Sequence, residues 1–231
     1  MLFPRNRSEQ WYRDAYEKAE VLPEAQGLLQ TTCDRIMLHK AEYELAVKDT
    51  AIPWEFPALL HCLEADNDMR CQFFNGAAWY LKITVWPKQT VGPWKNWQEA
   101  AHDALYGEVK GFPMFSGMED WDYPRLFCRA ECWNGPGYAN MNLPSQYLLG
   151  LTNICVGVGK YVADGKYDPK AQTSDIGVIP LYKELQRRKA LAATPAPAPK
   201  AQTGIYVSDD RMAAIEKAIA DLVAAFKAVK S

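Results

Sequence analysis

One glutamate, Glu64, closes an almost wholly apolar run, Ala58-Leu59-Leu60-His61-Cys62-Leu63. A carboxyl delivered by a buried helix end loses the water that stabilises its charge, and its pKa rises. Keeping a proton near neutral pH is what general-acid catalysis asks of a carboxyl. The run starts at Ile52-Pro53-Trp54, and Pro53 suits the first turn of a helix. The pattern predicts a helix over about residues 55 to 65, then a polar turn at Asp66-Asn67-Asp68.

A second carboxylate would complete an acid/base pair. Asp66, Asp68, Asp103, Glu119, Asp120, Asp122 and Glu131 are available, and spacing does not choose between them. Glu131 stands just before Asn134-Gly135-Pro136-Gly137-Tyr138. That segment reads equally as the wall of a cleft, where glycine lets backbone approach a ligand, or as a helix stop with a tight turn. His61 and Glu64 are three residues apart, but no His-Glu-x-x-His pattern exists and only His39 and His102 remain elsewhere. A zinc site is not expected, nor is any cofactor. Cys128 and Cys132 share a helix face without a second pair, so they read as core.

The elements that would hold these groups are mostly helical. Residues 8 to 48 carry two amphipathic patterns interrupted by Pro23. Ala78 to Trp86 is rich in β-branched and aromatic residues, with Asn75-Gly76 as a turn, so a small hairpin is expected between 69 and 92. Helices are expected over 97 to 105, 125 to 133, from 144, and over 175 to 189, with 160 to 169 as an exposed turn. Thr194-Pro195-Ala196-Pro197-Ala198-Pro199 marks a semi-rigid linker. Beyond it Met212, Ile215, Ile219, Leu222, Phe226 and Val229 recur at coiled-coil spacing. The expected organisation is a domain over 1–190, a linker over 191–207 and an amphipathic helix over 208–231.

Composition bounds the rest. The chain has 231 residues, 48% hydrophobic and 23% charged, enough for a sizeable core. A net charge of -2 and the absence of a Lys/Arg run argue against nucleic acid. No stretch reaches membrane-span length, and the polar start Arg5-Asn6-Arg7 is unlike a signal peptide. The expectation is therefore a protein cytoplasmic in the cell that makes it. The six cysteines are expected to be free thiols.

The order of motifs resembles the phage-type lysozyme family and endolysins of the lysozyme superfamily. Ile52-Pro53-Trp54, His61-Cys62-Leu63-Glu64 and Asn75-Gly76 follow that family's Ile-Pro-Trp, His-x-x-Glu and Asn-Gly turn. Trp97 to Leu105, Glu131 to Tyr138 and Lys160 to Pro169 resemble its later segments in the same order, so the likeness covers about residues 30 to 190. The departure is Cys71 to Ala77, which lacks the family's histidines and the acid after the turn.

The resemblance implies a mainly α, lysozyme-like α+β domain with a small β-hairpin after the helix that carries Glu64. It implies a peptidoglycan hydrolase acting on the linkage between N-acetylmuramic acid and N-acetylglucosamine, an endolysin or a virion-associated lysin. Glu64 would be the general acid and Glu131 a second acid or a shaper of the site. His61, Phe74, Asn75, Asn134, Gly135 and Tyr138 would bind the glycan strand. Residues 208–231 would serve self-association or docking to a virion component. The rival expectation, carried by the altered Cys71 to Ala77 segment, is a degenerate module of the same fold that binds glycan or serves assembly.

Overall fold

The computed structural model describes residues 3–85, 89–106, 115, 117–163 and 165–193. The chain divides into two compact units, Met1–Ala190 and Leu191–Ser231. The helix expected over 208–231, and the linker beyond residue 193, lie outside the described residues.

The first unit is mainly helical. Its longer helices are α1 (Glu9–Lys18), α2 (Gln26–Leu38), α3 (Lys40–Ala46), α4 (Glu55–Ala65), α5 (Trp97–Tyr106) and α6 (Tyr123–Asn134). Two single turns, α7 (Gly137–Asn140) and α8 (Gln146–Leu149), precede α9 (Val178–Ala193). Local chemistry sets several ends. The Ser8 side chain accepts from Trp11 N at the start of α1, and Asp122 accepts from Arg125 N at the start of α6, where Pro124 fits the first turn.

Helix α4 is the axis of the core. Phe56, Ala58, Leu59, Leu60 and His61 are all fully buried, as the apolar run leads one to expect. Phe56 meets Phe115 edge-on at 4.9 Å and Trp121 at 4.8 Å. The buried residues of α2, α5, α6 and α9 join the same core.

Two small antiparallel ribbons flank the helices. Strands β1 (Ile83–Val85) and β2 (Gln89–Val91) pair with Thr84 opposite Thr90. Ile83 and Val85 point inward and Thr84 outward, the period-two pattern of a half-buried strand. The ladder is shorter than the hairpin expected over 69–92: residues 69 to 80 form turns closed by one bridge, Cys71 to Ala78. The second ribbon, β3 (Lys160–Ala163) with β4 (Lys166–Asp168), stands where an exposed turn was expected. Its tyrosines explain the difference. Tyr161 packs edge-on against Tyr138 at 5.2 Å and against Tyr167 at 5.5 Å, so the ribbon has an aromatic face to bury. All six cysteines are free thiols. Among the described residues no helix is long and apolar enough to cross a membrane.

Candidate active site

Glu64 sits in the last turn of α4, and that turn is ended decisively. Asp66 and Asn67 both take the left-handed conformation, at φ 52° and 56°. Asp66 N–H donates to the Cys62 carbonyl and Asn67 N–H to the His61 carbonyl, which satisfies two orphan acceptors of the helix end. The buried Asn67 side chain then donates to the Ala58 carbonyl at 3.1 Å and to the Tyr43 hydroxyl at 2.8 Å. The chain turns back so closely that a Cβ on Gly76 would stand 2.7 Å from the Glu64 carbonyl oxygen.

Two donors hold the carboxyl. Trp133 Nε1 donates to Glu64 Oε1 at 3.2 Å and the Tyr147 hydroxyl donates to the same oxygen at 3.0 Å. Both bonds favour the charged form, but burial outweighs them and pushes the carboxyl up to about 7. Glu64 therefore holds or releases its proton near neutral pH. Trp133 comes from α6 and Tyr147 from α8, so three separate elements converge on one oxygen.

Two cavities meet beside this group. The larger, about 670 Å³, is lined by Asn134, Gly135, Tyr138, Gln146, Tyr147 and Tyr161, among others. The smaller, about 340 Å³, is lined by Glu64, Cys62, Asp66 and Asp175. Leu63 and Asp175 line both. Asp66 is bound to Arg35 at 2.7 Å. Asp175 is exposed and, among the described residues, accepts only from its own loop, Thr173 Oγ1 at 3.2 Å and Ser174 Oγ at 3.4 Å.

The Asn134 to Tyr138 segment is both a helix stop and a cleft wall. Gly135 ends α6 at φ 98°, and the whole segment lines the larger cavity. A Cβ on Gly137 would meet the Tyr161 hydroxyl at 2.6 Å, so glycine there lets the ring of β3 lie against the loop. The Tyr138 hydroxyl accepts from Tyr161 N at 3.2 Å and the ring is buried.

Other expected site residues lie elsewhere. Glu131 is fully buried and does not reach either cavity. Arg7 grips it through Nη2 at 2.8 Å and Nε at 3.0 Å, and the Tyr12 hydroxyl donates to Oε2 at 2.7 Å. Arg7 Nη2 also donates to the Leu143 carbonyl at 2.8 Å. The expectation of a second acid at Glu131 gives way to a clamp. A charge taken out of water survives only with such partners, and these tie α1 to α6 and to the loop after α7.

His61 is likewise buried and corrects the expectation of a substrate contact. Its Nε2 lies 3.1 Å from the Cys71 carbonyl and its Nδ1 lies 3.0 Å from the Tyr43 hydroxyl. The same Nε2 also lies 3.3 Å from Trp97 Nε1, so it stands between a carbonyl that can only accept and an indole N–H that can only donate, while Nδ1 faces the tyrosine hydroxyl. Burial lowers the ring to about 4, which keeps it neutral. His61 thus fastens α4 to the turn that follows it. Phe74 is buried and stacks on Trp94 at 5.7 Å. Asn75 is exposed, and its Oδ1 accepts from Gln72 Nε2 at 2.6 Å and Ala77 N at 3.1 Å, closing the turn. Neither lines the two cavities.

Compared with protein-family models, with curated proteins and with solved structures, the chain matches none. Among the described residues no group of three or more His, Cys, Asp or Glu side chains is arranged to hold a metal ion. What the arrangement offers is a proton donor tuned near neutrality, beside a groove of tyrosines and amides suited to a polyhydroxylated ligand. Trp133, Tyr147, Asp175 and Tyr161 were not singled out by the sequence. Trp133 has a local hint, one residue before the Asn134 turn, whereas Tyr147 and Asp175 have none.

Proposed function

We propose that this chain cleaves the glycan strands of peptidoglycan, with Glu64 as general acid. The observation that carries this reading is the Glu64 carboxyl itself: raised to about 7 by burial and held by Trp133 and Tyr147 at the edge of an aromatic cleft. Protonated Glu64 gives its hydrogen to the glycosidic oxygen as the bond from the anomeric carbon to that oxygen breaks. Asp175, which lines the same smaller cavity, takes a proton from the water that attacks the anomeric carbon. Tyr161 and Tyr147 give sugar faces something to stack on, and Asn134 and Gln146 offer amide partners to hydroxyl and acetamido groups. A lysozyme-like fold, and service as an endolysin or virion-borne lysin, belong to the same proposal and rest on the motif order.

The test is a zymogram on purified cell walls with wild type, Glu64→Gln and Asp175→Asn. Clearing by wild type, none by Glu64→Gln and strongly reduced clearing by Asp175→Asn is the expected result. Full clearing by Glu64→Gln would sink the acid assignment. No clearing by wild type on walls of several chemotypes would favour the rival, a glycan-binding module without catalysis. The departure at Cys71 to Ala77 is what keeps that rival specific.

A further inference from the structure

Beneath α6, away from Glu64, lies a third cavity of about 350 Å³. Its walls are Phe3, Met118 and Cys128, with Arg125 and Arg129 from α6 and Glu119 and Asp120 at the loop before it. The two arginines differ sharply. Arg125 is neutralised three times over, by Asp120 at 2.9 Å, Asp122 at 3.0 Å and Glu9 at 3.7 Å. Arg129 is only 5% exposed and forms no ion pair or hydrogen bond with any described residue.

The position of Arg129 is nonetheless fixed. Its guanidinium lies 3.9 Å from the centroid of the Trp121 ring. Trp121 is pinned in turn, through Nε1 to the Met118 carbonyl at 2.8 Å and by contact with Phe56. One face of the cation is therefore covered by an aromatic ring, and Nη1 is buried with no hydrogen-bond partner among the described residues. A buried charge without a counter-charge is costly, and buried arginines are ordinarily matched by a carboxylate or phosphate. Here Asp120 and Asp122 favour the charge from a distance, but neither they nor any other described residue bonds to it.

We infer that this cavity binds a small monocarboxylate with a compact apolar body, its carboxylate seated on Arg129. The apolar body follows from Phe3, Met118 and the Cys128 thiol. The single charge follows from Glu119 and Asp120, which repel a second negative group such as the dianion of a phosphate ester. Planar guanidinium matches planar carboxylate through paired N–H donors. The site is independent of glycan cleavage, since neither Glu64 nor any residue holding it lines this cavity.

The carboxylate can come from a free acid or from the C-terminus of a peptide. Calorimetric titration of the full chain with isovalerate and with N-acetyl-leucine separates them, with isovaleramide and inorganic phosphate as controls. Binding of both acids supports the shared chemistry. Binding of isovalerate alone assigns a metabolite site, and binding of N-acetyl-leucine alone assigns a peptide-terminus site. The amide should not bind, and phosphate should bind more weakly than either acid. Arg129→Met should weaken the acid by about ten- to a hundredfold. Glu119→Ala, an exposed change that leaves the core intact, should tighten it. Failure of both acids to bind wild type, unchanged affinity in Arg129→Met, or no tightening in Glu119→Ala would each overturn the assignment.

Discussion

Gly76 lies against the backbone of Glu64, where a Cβ would stand 2.7 Å from the Glu64 carbonyl oxygen. Its φ of 69° is also in the left-handed region that glycine tolerates best. The turn after α4 and the carboxyl at its end are thus one unit. Gly76→Ala is expected to lose about 1–3 kcal/mol of stability, measured by urea unfolding, because strain and clash act together. The folded fraction should also lose wall-clearing activity as the last turn of α4 shifts. Wild-type stability in this variant would show that the contact relaxes at no cost.

Trp133 and Tyr147 both donate to Glu64 Oε1 and so favour its charged form. Removing either donor should raise the Glu64 pKa further above 7. Carbon NMR of labelled glutamate in Tyr147→Phe and Trp133→Phe reads this directly. If Glu64 acts while protonated, the alkaline fall of activity moves to higher pH in step with the NMR titration. A downward shift would mean that the donors do not govern the carboxyl.

Stability should depend on pH through two buried groups of opposite sign. Glu64 is raised to about 7 from an ordinary 4.5, so the native state binds its proton more tightly than the unfolded chain does. Its contribution is full below about 4.5 and is lost as pH climbs through 7. His61 is lowered to about 4 from 6.5, so its effect runs the other way: stability is lost as pH falls from 6.5 through 4. Glu64→Gln is expected to unfold a few degrees higher than wild type at pH 8, with little difference at pH 4.5. Thermal unfolding across this range checks the sign, and a larger gain in acid than in base would contradict it.

The Arg7–Glu131 pair is fully buried, at 2.8 Å. Removing one partner strands the other, so Arg7→Met or Glu131→Gln should each cost about 3–5 kcal/mol in chemical denaturation. The double replacement should cost less than the sum of the two, because it strands no charge. At a temperature where the variants stay folded, their wall-clearing activity per folded molecule should match wild type. A selective loss of activity with stability retained would return Glu131 to the chemistry.

The amino-acid order alone determined α4 and its load. Pro53 near the start, an unbroken apolar run and a polar turn leave few choices over residues 55 to 65, because these signals are local and agree. The raised acid at Glu64 follows from the same local logic, since a carboxyl at the end of a buried helix is desolvated whatever covers it. Aromatic strand residues announced β1, although the ladder proved short. Tertiary structure alone decided which residues surround Glu64. Trp133 and Tyr147 lie 69 and 83 positions away along the chain, and Asp175 reaches the same cavity from the loop before α9. No local pattern encodes such a meeting, because a side chain's partners across the core depend on how whole helices pack. Packing likewise separated two glutamates that read alike in sequence: Glu64 opens on a cleft, whereas Glu131 is sealed by Arg7 and Tyr12, which approach from another helix and the segment leading into it.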